Sequence, residues 1–276
     1  MENNTFSFQR FLLVLQKDIM ENWKKNLLLL ITGYGIFSIT LIWNSYLYYD
    51  NQPSTAEAHN MQLVLVSGLL FFILGSVYAS TLMNPMSTKT KRTTFLMNPA
   101  SSLEKYLSRW MQVVLLYLIV YFILFFLADA TRVIYCSIRF PHEDIDFIHL
   151  SALVNWTGAK DSTHFFPYWQ GLFFAFSVYL FIQSVFVLGS TFWEKNSFVK
   201  TFAAGIAFLL IYYSICTGVL TLVFGNLKEA QIPNIFNGFD DKILLVAIGA
   251  LLYAVSLFDW ILGYFRFKES EIIKRW

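Results

Sequence analysis

Residues 61–82 read MQLVLVSGLLFFILGSVYASTL, a run without a single Asp, Glu, Lys or Arg. About 20 residues of helix cross the roughly 30 Å hydrocarbon core of a bilayer, and this stretch has that length. Its Leu, Val, Phe and Ile follow one another without the alternation of a barrel strand, and in lipid every backbone N–H and C=O must find a partner inside the element, which leaves a helix. Four more uncharged runs repeat the pattern, at 27–48, 110–127, 168–192 and 201–224. A sixth, 243–263, is bounded by Lys242, which can snorkel outward, and Asp259, which is expected at the opposite interface. The chain therefore reads as an all-α integral membrane protein with six transmembrane helices.

Composition agrees. Of 276 residues, 57% are hydrophobic and only 14% charged, against about 25% charged in soluble domains. The net charge of +2 is too small to suggest a nucleic-acid partner. Its distribution is more telling. Fifteen of the 20 Lys and Arg fall before the first span, in 84–109, at Lys195 and Lys200, or after the last span, whereas Arg132, Arg139, Lys160, Lys228 and Lys242 fall on the other side. The positive-inside rule puts both chain ends in the cytoplasm. Trp43, Trp110, Trp169, Trp193 and Trp260 lie near span ends, where amphipathic rings prefer the headgroups. Cys136 and Cys216 form no disulfide framework, and the short apolar stretch Phe11–Leu15 lacks the features of a cleaved signal.

Before the first span, Phe8, Phe11, Leu12, Leu15 and Ile19 recur at helical spacing opposite Arg10, Lys17, Glu21 and Lys24, the pattern of an interfacial amphipathic helix; a helix packed on cytosolic domains has the same period. The layout is thus an amphipathic connecting helix (1–26), a six-span domain (27–263) and a cytoplasmic tail (264–276). Extracellular segments lie at 131–167 and 225–241, the first long enough to form a small cap.

The most informative polar segment is 84–109, NPMSTKTKRTTFLMNPASSLEKYLSR, on the basic side between the second and third spans. Ser101 and Glu104 make an S-x-x-E capping box, predicting a helix from about Ser102 straight into the third span. Ser87 or Thr88 can cap a short helix over Lys89–Leu96. Helix, turn and rigid helix would suit transmission of a push from a docked partner, although a loop supplying inside-positive charge needs no such role.

The run Asn98-Pro99-Ala100-Ser101-Ser102-Leu103-Glu104-Lys105, followed by Arg109, resembles bacterial membrane subunits of the type-2 ATP-binding-cassette exporter permeases. The order of parts is similar too: connecting helix, six spans, coupling segment after the second span, and re-entrant extracellular pieces before the sixth. The resemblance implies a permease of the bacterial inner membrane that pairs with a second copy or a related permease. Each would dock on a separate ATPase subunit through a coupling segment here represented by Lys91, Arg92, Thr94, Phe95, Asn98, Pro99 and Glu104. ATP and Mg would belong to that partner, and no cofactor is expected in this chain, which lacks G-x-x-x-x-G-K-[ST]. Carried over by span, the translocation path would run past Phe71, Ser76, Tyr78, Tyr212, Tyr213 and Thr217, residues that also serve as ordinary packing in lipid. The substrate implied is a lipid, peptide, drug-like molecule or polymer moved outward.

Other constellations carry less. His142, Asp146 and His149 would share a helix face but match no metal signature, and an acidic solvated helix is the simpler reading, so no metal site is expected. Asp129 and Arg132 are spaced to pair, and Glu194 and Lys195 occupy a tight turn. An intramembrane enzyme would need H-E-x-x-H or paired catalytic groups within the spans, and neither occurs. A secondary transporter usually needs intramembrane carboxylates or broken helices. A sensing or scaffolding subunit that shares the permease fold without transport stays open beside the exporter.

Overall fold

A computed structural model describes residues 6–51, 55–153, 166, 168–224 and 241–273. Nine α-helices account for most of them: α1 Phe8–Glu21, α2 Trp23–Asn51, α3 Ala56–Ala79, α4 Lys89–Leu96, α5 Ser102–Met111, α6 Tyr117–Arg139, α7 Trp169–Phe192, α8 Ser197–Phe224 and α9 Asp241–Ile273. Among the described residues, six helical stretches are long and apolar enough to cross a membrane: α2, α3, the continuous α5–α6 rod, α7, α8 and α9. The fold is thus the expected all-helical, six-span bundle.

Helix α7 is its hub, packed on α3, α8 and α9, while α2 lies along α6. Two cores stack along the bundle. One joins Phe37, Leu41, Leu63, Tyr121, Phe125 and Tyr179, and the other joins Leu82, Met86, Tyr106, Val113, Val187 and Phe267 nearer the basic end. Hydrocarbon gives helices no hydrophobic reason to associate, so close contact and interhelical hydrogen bonds must hold them. Tyr117 Oη donates to Phe71 O at 2.8 Å and Tyr121 Oη to Ser67 O at 2.7 Å, tying α6 to α3. Gly75 admits the rings of Tyr179 and Tyr117, since a Cβ there would lie 3.0 Å from Tyr179 and 3.2 Å from Tyr117.

Several boundaries differ from the sequence reading. The third span runs on from α5 into α6 as expected, with a π-helical segment at Gln112–Leu116 between them. Helix α6 continues past the expected boundary at Thr131 to Arg139, because its charges are neutralised internally. Arg132 Nε meets Asp129 Oδ1 at 2.7 Å, Arg132 Nη2 donates to Asp146 O, and Asp129 Oδ2 accepts from Ile148 N at 2.8 Å. Residues 144–149 are non-helical, so the shared helix face of His142, Asp146 and His149 does not form; Pro141 stands two residues past the end of α6. Asp259 is buried and accepts a hydrogen bond from Ser184 of α7 at 2.9 Å. The region expected as a tail continues as helix to Ile273. The expected re-entrant pieces in 225–240, and residues 154–165 of the expected cap, lie outside the described residues.

Candidate functional site

The basic segment folds as an elbow at one end of the bundle. Thr88 caps α4, its side chain accepting from Lys91 N, and α4 covers Lys89–Leu96. Ser101 and Glu104 form both halves of the capping box that starts α5. Between the helices, Lys105 donates its ammonium to Leu96 O at 3.2 Å, placing a cation at the carbonyl end of α4 where the helix dipole favours it.

Three attachments fix the elbow to the rest of the chain. Toward the N-terminus, Glu104 accepts from Ser7 N at 2.7 Å and from Arg10 Nη2 at 3.1 Å, while Asp18 of α1 lies 3.0 Å from Arg109 Nε and accepts from Ser108 Oγ. Each helix thus offers the other a carboxylate. Burial raises the Asp18 carboxyl above its ordinary value, with Arg109 and Ser108 pulling against that rise. The second attachment runs to the α7–α8 turn, where Arg92 donates to Glu194 at 2.5 Å and to Met86 O at 2.8 Å. Asn196 closes that turn at φ 54°, the left-handed region Asn tolerates better than most residues. The third runs to α9, where Phe95 packs edge-on against Phe267 and Tyr106 Oη donates to Trp260 O at 2.9 Å. Gly263 makes this close approach possible, because a Cβ there would fall 2.8 Å from Tyr106 Oη.

The predicted coupling residues therefore divide. Lys91, Thr94 and Pro99 are exposed, Asn98 is half-buried, and Arg92, Phe95 and Glu104 face inward and are engaged within the chain. Glu104 is fully buried, so its role is to hold α1 and α5 together. The sequence reading missed Met97, which stands 79% exposed at the elbow's tip, and it missed Asp18 and Glu194 as anchors. Asp18 had a legible signal: a carboxylate seven residues after Phe11 on an amphipathic helix's apolar face needs a partner. Helix α1 itself buries Phe11, Val14 and Asp18 and leaves Phe8, Leu12 and Ile19 exposed.

Beside the elbow, a recess of about 490 Å³ opens between the start of α4 and the α7–α8 turn, walled by Lys89, Arg92, Trp193, Glu194, Lys195 and Lys200. With Arg92 and Glu194 paired, three lysines give it a positive character.

The predicted path residues do not form one surface. Phe71 and Tyr78 lie half-buried against Tyr117, and Ser76 is buried with its hydroxyl given to Phe72 O. Tyr212 and Tyr213 project from the exposed side of α8, and Thr217 donates to Tyr213 O. Among the described residues, no group of three or more His, Cys, Asp or Glu is placed to hold a metal.

Comparison with known protein families, with curated proteins and with solved structures gives no match.

Proposed function

We propose that the chain is the membrane-spanning permease subunit of an ATP-driven exporter, with the elbow at 84–109 in the cytoplasm as the contact for a separate ATPase. The observation that carries this is the elbow's division of labour. Its tip, Lys91, Thr94, Met97 and Pro99, is presented outward, while its inner side is bolted to α1, the α7–α8 turn and α9. A rigid lever fixed to several spanning elements can pass a displacement into the bundle; a loop that only supplied positive charge would need no such bracing. The absence of charge from five runs and the positive collar fit a cytoplasmic placement of this end.

The test is coexpression with a candidate ATP-binding-cassette ATPase subunit, followed by copurification and substrate-stimulated ATP hydrolysis in liposomes. Lys91→Glu with Met97→Asp should abolish copurification while membrane insertion persists. Arg92→Ala with Phe95→Ala should weaken transport and ATP turnover more than binding, because those side chains brace the lever. Unchanged behaviour of both pairs would remove the coupling assignment. Copurification without transport of any substrate would favour a sensing or scaffolding subunit.

One observation favours a second reading, an ion-coupled transporter. Asp259 is a carboxylate buried between helices against Ser184, and ionisable residues buried between spans commonly mark ion pathways. Gradient-driven uptake by the chain alone, lost in Asp259→Asn, would establish that reading and displace the exporter.

A further inference from the structure

At the end of the bundle opposite the elbow, α3, α6 and α7 enclose a cavity of about 380 Å³, within the roughly 300–1,000 Å³ of small-molecule sites. Its floor and back wall include Phe125 and Tyr179, each 2% exposed. Its rim includes Leu65, Leu69, Phe122 and Phe176, all exposed on the bundle's flank, so the cavity opens sideways at the depth of the spans. Leu150, Leu153 and Phe166 cover it toward the water. That cover is pinned, with Phe166 N donating to Leu153 O at 2.8 Å and Ile148 N to Asp129. His149 N donates to Asn60 Oδ1 at 3.1 Å.

The walls also define the chemistry of an occupant. The Ser67 hydroxyl donates to Leu63 O and the Tyr121 hydroxyl to Ser67 O, so both are spent on the α3 backbone, and the Tyr179 hydroxyl is buried without a hydrogen-bond partner. Water would find few partners here, and an empty apolar space beside liquid hydrocarbon forfeits dispersion contacts on every wall. Gly68 widens the cavity, since a Cβ built there would meet nothing within 4 Å.

We propose that this cavity is a binding site for one hydrocarbon chain of a membrane lipid, entering from the leaflet at that end between α3 and α6, with its headgroup left at the interface. Sideways opening, a predominantly apolar wall and a pinned apolar cover on the water side all select a chain continuous with the bilayer over a soluble ligand. The site needs only the six-span bundle, so it stands whether or not an ATPase docks at the other end.

The test uses the full chain in nanodiscs of phosphatidylglycerol containing a trace of the same lipid with a diazirine at the end of one acyl chain. Irradiation and peptide mapping should label Phe125 and Tyr179, buried side chains that a lipid can reach only from inside the cavity. Gly68→Leu should lower that labelling about ten-fold, because a close-packed site cannot hold both side chain and lipid. The matched control is Gly35→Leu on α2, where a Cβ also meets open space but outside the cavity, and it should leave the labelling unchanged. Tyr179→Phe should retain the labelling, since the occupant is hydrocarbon at that depth. Labelling confined to exposed α8 residues such as Phe208, an equal fall in the Gly35 variant, no fall in the Gly68 variant, or loss in Tyr179→Phe would each overturn the proposal.

Discussion

Helices α7 and α8 are neighbours, both uncharged over the 18 or more residues a span requires, and their fates diverge. In α7, 44% of the most apolar window is buried, and in α8 only 6%. The buried positions of α7 are dominated by small and polar residues, among them Gly171, Ser177, Gln183, Ser184, Gly189 and Ser190. Helix α8 presents Phe208, Leu209, Leu210, Ile211, Tyr212 and Tyr213 to its surroundings. The more bulky and apolar surface is the one left to lipid. In hydrocarbon a Leu side chain and a lipid tail are equivalent solvents for each other, so what gathers helices is backbone proximity and a few directed hydrogen bonds.

The comparison can be broken most forcefully at the joint between the two helices. A Cβ at Gly189 would fall 2.0–2.9 Å from three side-chain atoms of Thr201 on α8. Gly189→Leu should therefore destabilise the bundle by about 1–3 kcal/mol through overpacking. Gly205→Leu on α8, where a Cβ meets nothing within 4 Å, should cost nothing and gain helix propensity. Thermal unfolding of both variants in detergent checks the contrast, and equal midpoints would refute it.

A smaller effect is expected at Gln183, whose side-chain amide donates from α7 to Val113 O of the π-helical segment at 3.0 Å. Gln183→Leu should cost about 0.6 kcal/mol, the average for interhelical hydrogen bonds measured within a membrane protein. Steric trapping or denaturant unfolding would resolve it. Smallest of all, Tyr212→Ala with Tyr213→Ala should leave the stability of the isolated chain unchanged within about 0.5 kcal/mol. If that pair instead dissociates an oligomer by light scattering, the exposed face of α8 is an interface between chains and the contrast with α7 belongs only to the single chain.

The difference between α7 and α8 was not read from the sequence, because both runs are strongly apolar overall and the small and polar residues that mark the inner face of α7, Ser177, Gln183, Ser184 and Ser190, are outnumbered by apolar neighbours. Features encoded within a few residues were legible. Thr88 and the Ser101–Glu104 box fixed both helices of the elbow, and the uncharged runs fixed the number of spans. Partnerships across long separations were not. Glu104 looked like a docking residue because its partners, Ser7 and Arg10, lie 97 and 94 positions away. Arg92 likewise finds Glu194 across 102 positions, and no local pattern announces that choice.

The π-helical turn at Gln112–Leu116 carries one residue more than regular winding would hold. Removing an amino acid elsewhere in a helix rotates everything beyond it by about 100° and turns packed faces toward lipid. Here a single deletion, for instance of half-exposed Leu115, would simply iron out the bulge and keep Tyr117 and Tyr121 in phase with α3. The rod thus carries slack at the point where it leaves the elbow, and a change in chain length is tolerated there as nowhere else along the span.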